Sequence, residues 1–159
     1  MSGPTFARPP RFNHVALSVP ADLLDQQGRD AICELWGDVL GFVEHPTMTE
    51  DRARLVLGAH SPEQFVYIVA QDQPMAAHRE DHVGLSVSTK ADFDEVVRRA
   101  EAWQQRLPDE VTLDGPIVEE HAGVLRLHSA YLAYRLPLTV EVQWFEWLPG
   151  FEELGGVSP

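Results

Sequence analysis

The sequence is poor in the features that mark several classes of protein. It has one cysteine, Cys33, so no disulfide can form within the chain, as is typical of a reducing compartment. No stretch approaches the ~18 consecutive apolar residues of a membrane-spanning helix. Its 12 Lys and Arg face 25 Asp and Glu, and the net charge of −13 argues against nucleic acid or an anionic membrane as partner. Prolines interrupt residues 1–10, where a secretion signal would need an apolar core, which favours a cytoplasmic protein.

The sequence does contain an internal repeat within an ordinary globular composition of 44% apolar and 23% charged residues. The hexapeptide HVALSV, which begins at His14, returns as HVGLSV beginning at His82, 68 residues later. In both copies small or polar residues alternate with apolar ones, which predicts a strand with one packed and one open face. The repeat indicates that one supersecondary unit is used twice, each time with a histidine at the start of the open face.

Both units are predicted to have the element order β-α-β-β-β. In the first we expect a strand at 12–19, a helix at about 30–40 that stops at Gly41, and strands at 42–48, 54–57 and 65–70. In the second we expect a strand at 82–88, a helix at about 90–106, and strands at 117–121, 125–135 and 139–145. Trp36 and Trp103, 67 residues apart, are predicted to anchor the buried stripes of the two helices.

These elements predict an α+β fold of two paired β-α-β-β-β modules that form a curved mixed sheet around a central cleft. The expected organisation along the chain is an arm at 1–11, a first module at 12–72, a linker at 73–81, a second module at 82–148 and a tail at 149–159.

The last strands of the two modules place a carboxylate near the repeated histidines. Residues 65–69 align with 139–143 at an offset of 74, so Tyr67 takes the place of Glu141. A carboxylate between two valines in the middle of a strand is costly to bury unless it is paired. Taken singly, a strand histidine fits a structural role and Glu141 a solvated one. Taken together, His14, His82 and Glu141 are the parts of a 2-His-1-carboxylate site for a divalent metal, and we expect Tyr67 and Gln143 to line its cavity.

Paired modules that each open with His-Val-x-Leu-x-Val resemble the vicinal oxygen chelate superfamily over about residues 12–147. Its members include glyoxalase I, fosfomycin-resistance proteins, methylmalonyl-CoA epimerase, bleomycin-resistance proteins and extradiol dioxygenases. The resemblance implies metal ligands on the first and last strands of the modules, where His14, His82 and Glu141 stand. Glyoxalase I uses four protein ligands, so Tyr67 at the fourth position counts against that activity.

The order of residues before Glu141 resembles that of extradiol dioxygenases. Those enzymes carry a histidine, a tyrosine and an acidic-Pro-x-Gly turn ahead of the glutamate. Here His128, Tyr134 and Pro137 occur in the same order before Glu141. The turn that contains Pro137 is shorter and lacks the aspartate and the glycine. His128 and Tyr134 share strand parity, so both are expected to face the site. His128 is then the expected acid or base and Tyr134 a hydrogen-bond donor to substrate.

The resemblance implies an enzyme that chelates a small substrate through two neighbouring oxygens on one divalent ion. A ring-cleaving or related dioxygenase with Fe(II) is slightly favoured over an isomerase, lyase or transferase that uses Zn, Mn or Ni. A metal-free protein that sequesters a ligand, as bleomycin-resistance proteins do, is the other class. A homodimer is expected as a possibility, and the sequence leaves open whether the modules pair within one chain or across a dimer.

Overall fold

A computed structural model describes residues 11–45 and 53–155, and within them the predicted order of elements occurs twice. The first module contains β1 (His14–Val19), α1 (Gln26–Leu40), β2 (Val43–Glu44), β3 (Arg54–Gly58) and β4 (Phe65–Ala70). The second contains β5 (His82–Ser86), α2 (Lys90–Arg106), β6 (Thr112–His121), β7 (Leu125–Ala133) and β8 (Thr139–Trp147). Short 3₁₀ turns lie at Ala21–Leu24 and Glu152–Gly155.

The strands of each module form a four-stranded mixed sheet. The orders are β1-β4-β3-β2 and β5-β8-β7-β6, with the first strand parallel to the last and the other neighbours antiparallel. The α+β class and the paired modules are therefore confirmed. In the described part of the chain the two sheets share a core but no hydrogen-bonded edge, so β1 and β5 are each paired with a strand on one side only.

Capping residues set the ends of α1, and α2 has the bounds that were predicted. The carboxylate of Asp25 caps α1 by accepting a hydrogen bond from the backbone N–H of Gly28 at 2.8 Å, so the helix starts four residues earlier than predicted. A Cβ at Gly28 would collide with the carbonyl of Leu23, which explains the glycine inside the first turn. Gly41 ends α1 in the left-handed conformation, as predicted, and α2 has the predicted bounds.

One apolar core joins the two modules. Trp36 is fully buried and Trp103 is nearly so, as the helical stripes predicted. The Trp103 indole Nε1 donates to the Asp38 carboxylate at 2.8 Å, and the Arg99 guanidinium donates to the Asp38 carbonyl at 2.6 Å. Because Asp38 lies on α1 and the other two lie on α2, these bonds fix the modules relative to each other.

Several strand ends differ from the prediction. β6 begins at Thr112 and not at the predicted residue 117, because its pairing with β7 extends through a bulge between Asp114 and Ile117. β7 ends at Ala133 and β8 continues to Trp147. The predicted residues 46–48 of the second strand, and most of the predicted N-terminal arm, lie outside the described residues. No helix within the described ranges is long and apolar enough to cross a membrane.

The single cysteine is expected to react slowly. Burial, reinforced by the neighbouring Glu44 carboxylate, raises the pKa of Cys33 from 9.0 to about 11. Its thiolate fraction near neutral pH should then fall roughly 100-fold below that of an ordinary thiol. Alkylation by iodoacetamide, followed by mass spectrometry, should be slower in the native protein than in urea by about that factor. Equal rates in the two conditions would contradict the placement of Cys33 against Glu44.

Candidate metal centre

Glu141 lies on the open face of the second sheet, in the middle of β8. Glu141 on β8 lies between Gly84 on β5 and Tyr131 on β7 in the strand register. Its residue is 5% exposed, although the rest of this face is partly open. The space above Gly84 is open enough that an added Cβ would lie 3.7 Å from Glu141 Oε2, an ordinary van der Waals distance. The repeat therefore places the histidine strand beside the carboxylate strand, as the sequence predicted.

His82 and Glu141 point at each other. His82 Nε2 lies 3.2 Å from Glu141 Oε2, and His82 Nδ1 lies 2.9 Å from the carbonyl oxygen of Glu80. A carbonyl oxygen only accepts hydrogen bonds, so Nδ1 donates to it and Nε2 is the ring nitrogen that faces the Glu141 carboxylate. A nitrogen ligand fixed by a backbone carbonyl and placed beside a carboxylate is the arrangement in which histidine binds a metal ion. The donor set thus fits a divalent cation.

Three further polar side chains lie on the same sheet face as the Glu141 carboxylate. Tyr131 is opposite Glu141 and Ser129 is opposite Gln143 in the strand register, and the polar groups of all three favour the ionised form of Glu141. Burial opposes ionisation, but these polar neighbours, together with the adjacent His82, hold the pKa of Glu141 below its usual value. The bond to Glu141, followed by partial burial, raises the pKa of Tyr131 to about 12. At neutral pH the site therefore contains an oriented carboxylate and a protonated phenol.

The structure does not bring His14 to this pair within one chain. His14 stacks on Phe65 with ring centroids 4.9 Å apart, and its Nδ1 lies 2.9 Å from Asn13 Oδ1. It borders a cavity of about 640 Å³ between the modules, whereas His82 borders a separate cavity of about 640 Å³ on the second sheet. In residues 11–45 and 53–155 no three His, Cys, Asp or Glu side chains form a group that can hold a metal ion.

The two predicted cavity residues occupy the expected strand positions. Ala16 is opposite Tyr67 in the first module as Gly84 is opposite Glu141 in the second, so the predicted alignment of the last strands agrees with the register. Tyr67 is half-buried on the open face of the first sheet. Gln143 is half-buried on the same face of β8 as Glu141. Lining of a substrate cavity by these two residues stays a prediction.

His128 and Tyr134 lie on the wrong face of the sheet, so the expectation that they face the site is incorrect. His128 is opposite Trp144, which shares the packed face with Val140 and Val142. Its Nε2 lies 2.9 Å from Glu146 Oε2, and its ring packs against Trp144. Tyr134 is buried in the apolar core. The two residues do share a face, but strand parity alone does not say which one.

Sequence reasoning missed Tyr131 and Ser129, the β7 residues that do face Glu141 and Gln143. The signal that locates them is the turn between β7 and β8. Tyr131 on β7 is paired with Glu141 on β8. Had the two strands been paired residue by residue starting from the turn, the odd-numbered residues of β7 would have been predicted on the same face as Glu141. Tyr131 takes the position that the prediction gave to Tyr134.

Comparison with known proteins finds similarity in structure and not in sequence. No protein-family model and no curated protein matches the sequence. A glyoxalase family protein from Bacillus anthracis superposes with a TM-score of 0.59 at 14% identity, covering 89% of this chain and 100% of its own. The fosfomycin resistance protein FosX from Listeria monocytogenes gives 0.58 at 14% identity, covering 92% and 98%. Lactoylglutathione lyase from Agrobacterium tumefaciens gives 0.53 at 17% identity, covering 86% and 94%.

At such identities the likeness concerns the fold. The solved structures match nearly their whole length, so it extends over both modules and their arrangement. Together with the twofold βαβββ order and the parallel pairing of first and last strands, it confirms the fold that the repeat indicated. This chain has the same fold as these glyoxalase, fosfomycin-resistance and lyase structures.

Proposed function

We propose that this protein is a divalent-metal-dependent enzyme that chelates a small substrate through two neighbouring oxygens. The observation that carries the proposal is the pair formed by His82 and Glu141, 3.2 Å apart, with the imidazole fixed by the Glu80 carbonyl. Tyr131 and Gln143 lie on the same sheet face and favour the ionised form of the carboxylate. An imidazole nitrogen and a carboxylate placed side by side in a partly open sheet face are suitable ligands for a divalent metal.

We further propose that His14 completes the site from a second copy of the chain. His14 and His82 border different cavities, and β1 and β5 are each paired on one side only. If β1 of one copy lies beside β5 of another, the open face that carries His14 meets the open face that carries His82 and Glu141. A twofold-symmetric dimer would contain two such sites. This arrangement uses strand edges that are otherwise unpaired.

A bound ion would supply Lewis acidity to the substrate oxygens, and Fe(II) would add the capacity to activate dioxygen. The chain itself supplies orientation. Tyr131 keeps its proton next to Glu141, and we propose that Tyr67 and Gln143, on the open faces of the last strands, contact the substrate. The preference for a dioxygenase rested on the count of three protein ligands and on His128 and Tyr134, and the last two face the core. We therefore propose the wider class, with a dioxygenase using Fe(II), or a lyase, isomerase or transferase using Zn, Mn or Ni, as its forms.

Reconstitution separates these forms. Protein purified without chelators or a polyhistidine tag, then loaded anaerobically with Fe(II), Mn, Zn or Ni, should bind one ion per chain. Oxygen uptake would be followed with catechols, hydroxy-ketones and α-keto acids, and product formation with α-keto and thioester substrates. Uptake with Fe(II) identifies a dioxygenase, and turnover with Mn, Zn or Ni alone identifies a lyase, isomerase or transferase. Absence of a bound ion, with a tight ligand recovered from the host, would contradict the proposal and favour a sequestering protein.

A further inference from the structure

The open face of the second sheet changes from polar to apolar along β8. Glu141, Gln143, Phe145 and Trp147 follow one another on this face, since alternate residues of a strand point the same way. Each step of two residues covers ~7 Å, so Phe145 lies roughly 13 Å along the strand from Glu141. The pair of His82 and Glu141 therefore marks the polar end of the face, and the apolar end begins beyond Gln143.

Three strands contribute side chains to the apolar end. Leu127 on β7 is paired with Phe145, and the rings of Phe145 and Trp147 are nearly parallel, at 21°, with centroids 6.4 Å apart. Ile117 on β6 is paired with Ser129 and is therefore diagonal to Leu127. We refer to the apolar members of this group as the apolar patch: Ile117, Leu125, Leu127, Phe145 and Trp147.

Part of the apolar patch is open to solvent. Phe145 is 39% exposed and Ile117 is 37% exposed. Trp147 is covered on one side by the C-terminal tail, where a Cβ on Gly155 would lie only 2.6 Å from the indole Nε1. Glu119 on β6 forms a charged border. An exposed apolar surface that has a polar border and adjoins convergent polar groups is typical of a ligand-binding site.

The two directions along this face differ in chemistry. A substrate held by two oxygens on an ion beside Glu141 has to extend along the face one way or the other. On the side of His82 it would meet charged side chains, among them Arg79 and Glu80. On the side of Gln143 it would meet the apolar patch. An apolar group therefore gains contacts only in the second direction.

From this arrangement, and resting on the proposed function, we propose that the substrate carries an aromatic arm ~7 Å beyond its chelating oxygens and that the apolar patch binds it. An aryl ring can stack with an offset on Phe145, which adds to the gain from removing both rings from water. Because the patch and Glu141 lie on the same face of one strand, a single small molecule can occupy both. In the proposed dimer the arm would lie between the two open faces.

Three zinc-binding hydroxamates test the length and the chemistry of the arm. Acetohydroxamate has no arm, benzohydroxamate has a ring attached directly to the chelating group, and 4-phenylbutanohydroxamate places the ring three carbons farther away. Binding to zinc-loaded protein would be measured by calorimetry, with zinc content determined in the same samples. We expect 4-phenylbutanohydroxamate to bind roughly 30-fold more tightly than acetohydroxamate, since burial of a phenyl-sized group gains about that factor. Benzohydroxamate should gain much less, because its ring stops beside Gln143.

Variants of exposed residues assign the gain to the apolar patch. Phe145→Ala should lower the affinity for 4-phenylbutanohydroxamate roughly ten-fold, and Ile117→Ala should lower it by a smaller factor. Val118→Ala is the matched control, because Val118 is the next residue on β6, is 54% exposed and lies on the opposite face, paired with His128. This control should bind all three hydroxamates as the wild-type protein does. Zinc content and affinity for acetohydroxamate should be equal in all four proteins.

The outcomes distinguish the aromatic arm from the function on which it rests. Equal affinity of zinc-loaded protein for acetohydroxamate and 4-phenylbutanohydroxamate, or a gain that survives in both Phe145→Ala and Ile117→Ala, would overturn the arm while leaving metal chelation intact. Dissociation of the dimer by Phe145→Ala, with no gain from the arm in the wild-type protein, would also overturn it and would assign the patch to contact with a second copy. Absence of zinc from the wild-type protein, or failure of zinc-loaded protein to bind acetohydroxamate, would overturn the proposed function and the arm together.

Discussion

Replacing Glu141 with alanine should remove the bound metal ion, taking the content from one ion per chain to nearly none. The carboxylate is the charged member of the ligand set, and two imidazoles cannot compensate a divalent charge. Loss of a residue that merely orients a ligand weakens metal binding by about 10- to 100-fold, so loss of this ligand should exceed roughly 100-fold. Metal content by mass spectrometry of purified protein and titration with Mn²⁺ are the measurements.

Two further variants make the result specific. Glu141→Ala also leaves a gap in the sheet face beside Tyr131, Ser129 and Gln143, so some loss of stability is expected. Glu141→Gln keeps an acceptor of the same size and should lose the metal with a smaller change in melting temperature. Tyr67→Phe changes the equivalent residue of the first module and should retain the ion. Full metal content in folded Glu141→Gln, or loss of metal from Tyr67→Phe, would contradict the ligand assignment.

A mixed dimer should bind metal that neither of its chains can bind alone. His14→Ala and Glu141→Ala homodimers each lack one ligand in both sites and should be nearly empty. If each site takes His14 from one copy and His82 with Glu141 from the other, the heterodimer keeps all three ligands in one of its two sites. Its metal content should then be about half that of the wild-type dimer, by twofold symmetry.

The heterodimer can be obtained by co-expression with two different tags that do not bind metal, followed by purification on both. Sites built within single chains predict an empty heterodimer, because each chain then lacks a ligand of its own. Failure to recover any doubly tagged dimer from chains that fold normally would equally contradict a shared site. The comparison is insensitive to small losses of stability, since all three dimers contain the same types of variant.

The fold could be predicted from the sequence because its signal is local and occurs twice. The repeated hexapeptide, with its alternation of small and apolar residues, establishes the histidine strands and their faces without reference to the rest of the chain. The apolar stripes around Trp36 and Trp103 do the same for the helices. The prediction placed only residues 117–121 in β6, whereas the strand begins at Thr112, because a bulge lets an edge strand accommodate Pro116, which would end a central one.

The candidate site could be predicted only in part from the sequence, because it depends on how the strands pair with one another. His82 and Glu141 come together because the repeat aligns β5 with β8. The choice between His128 and Ser129, or between Tyr134 and Tyr131, depends on how β7 pairs with β8, and a shift of one residue exchanges the faces. The position of His14 relative to this pair depends on how modules associate, which no local pattern contains.

The central claim is that one divalent ion is shared by His14 of one copy and by His82 and Glu141 of another. A crystal structure of the Mn²⁺-loaded protein, with anomalous diffraction to locate the ion, tests it most directly. The account predicts one anomalous peak per chain, bonded to these three side chains from two copies, with Tyr67 outside bonding distance. A peak coordinated by other residues, or His14 directed away from an ion that His82 and Glu141 hold, would contradict it.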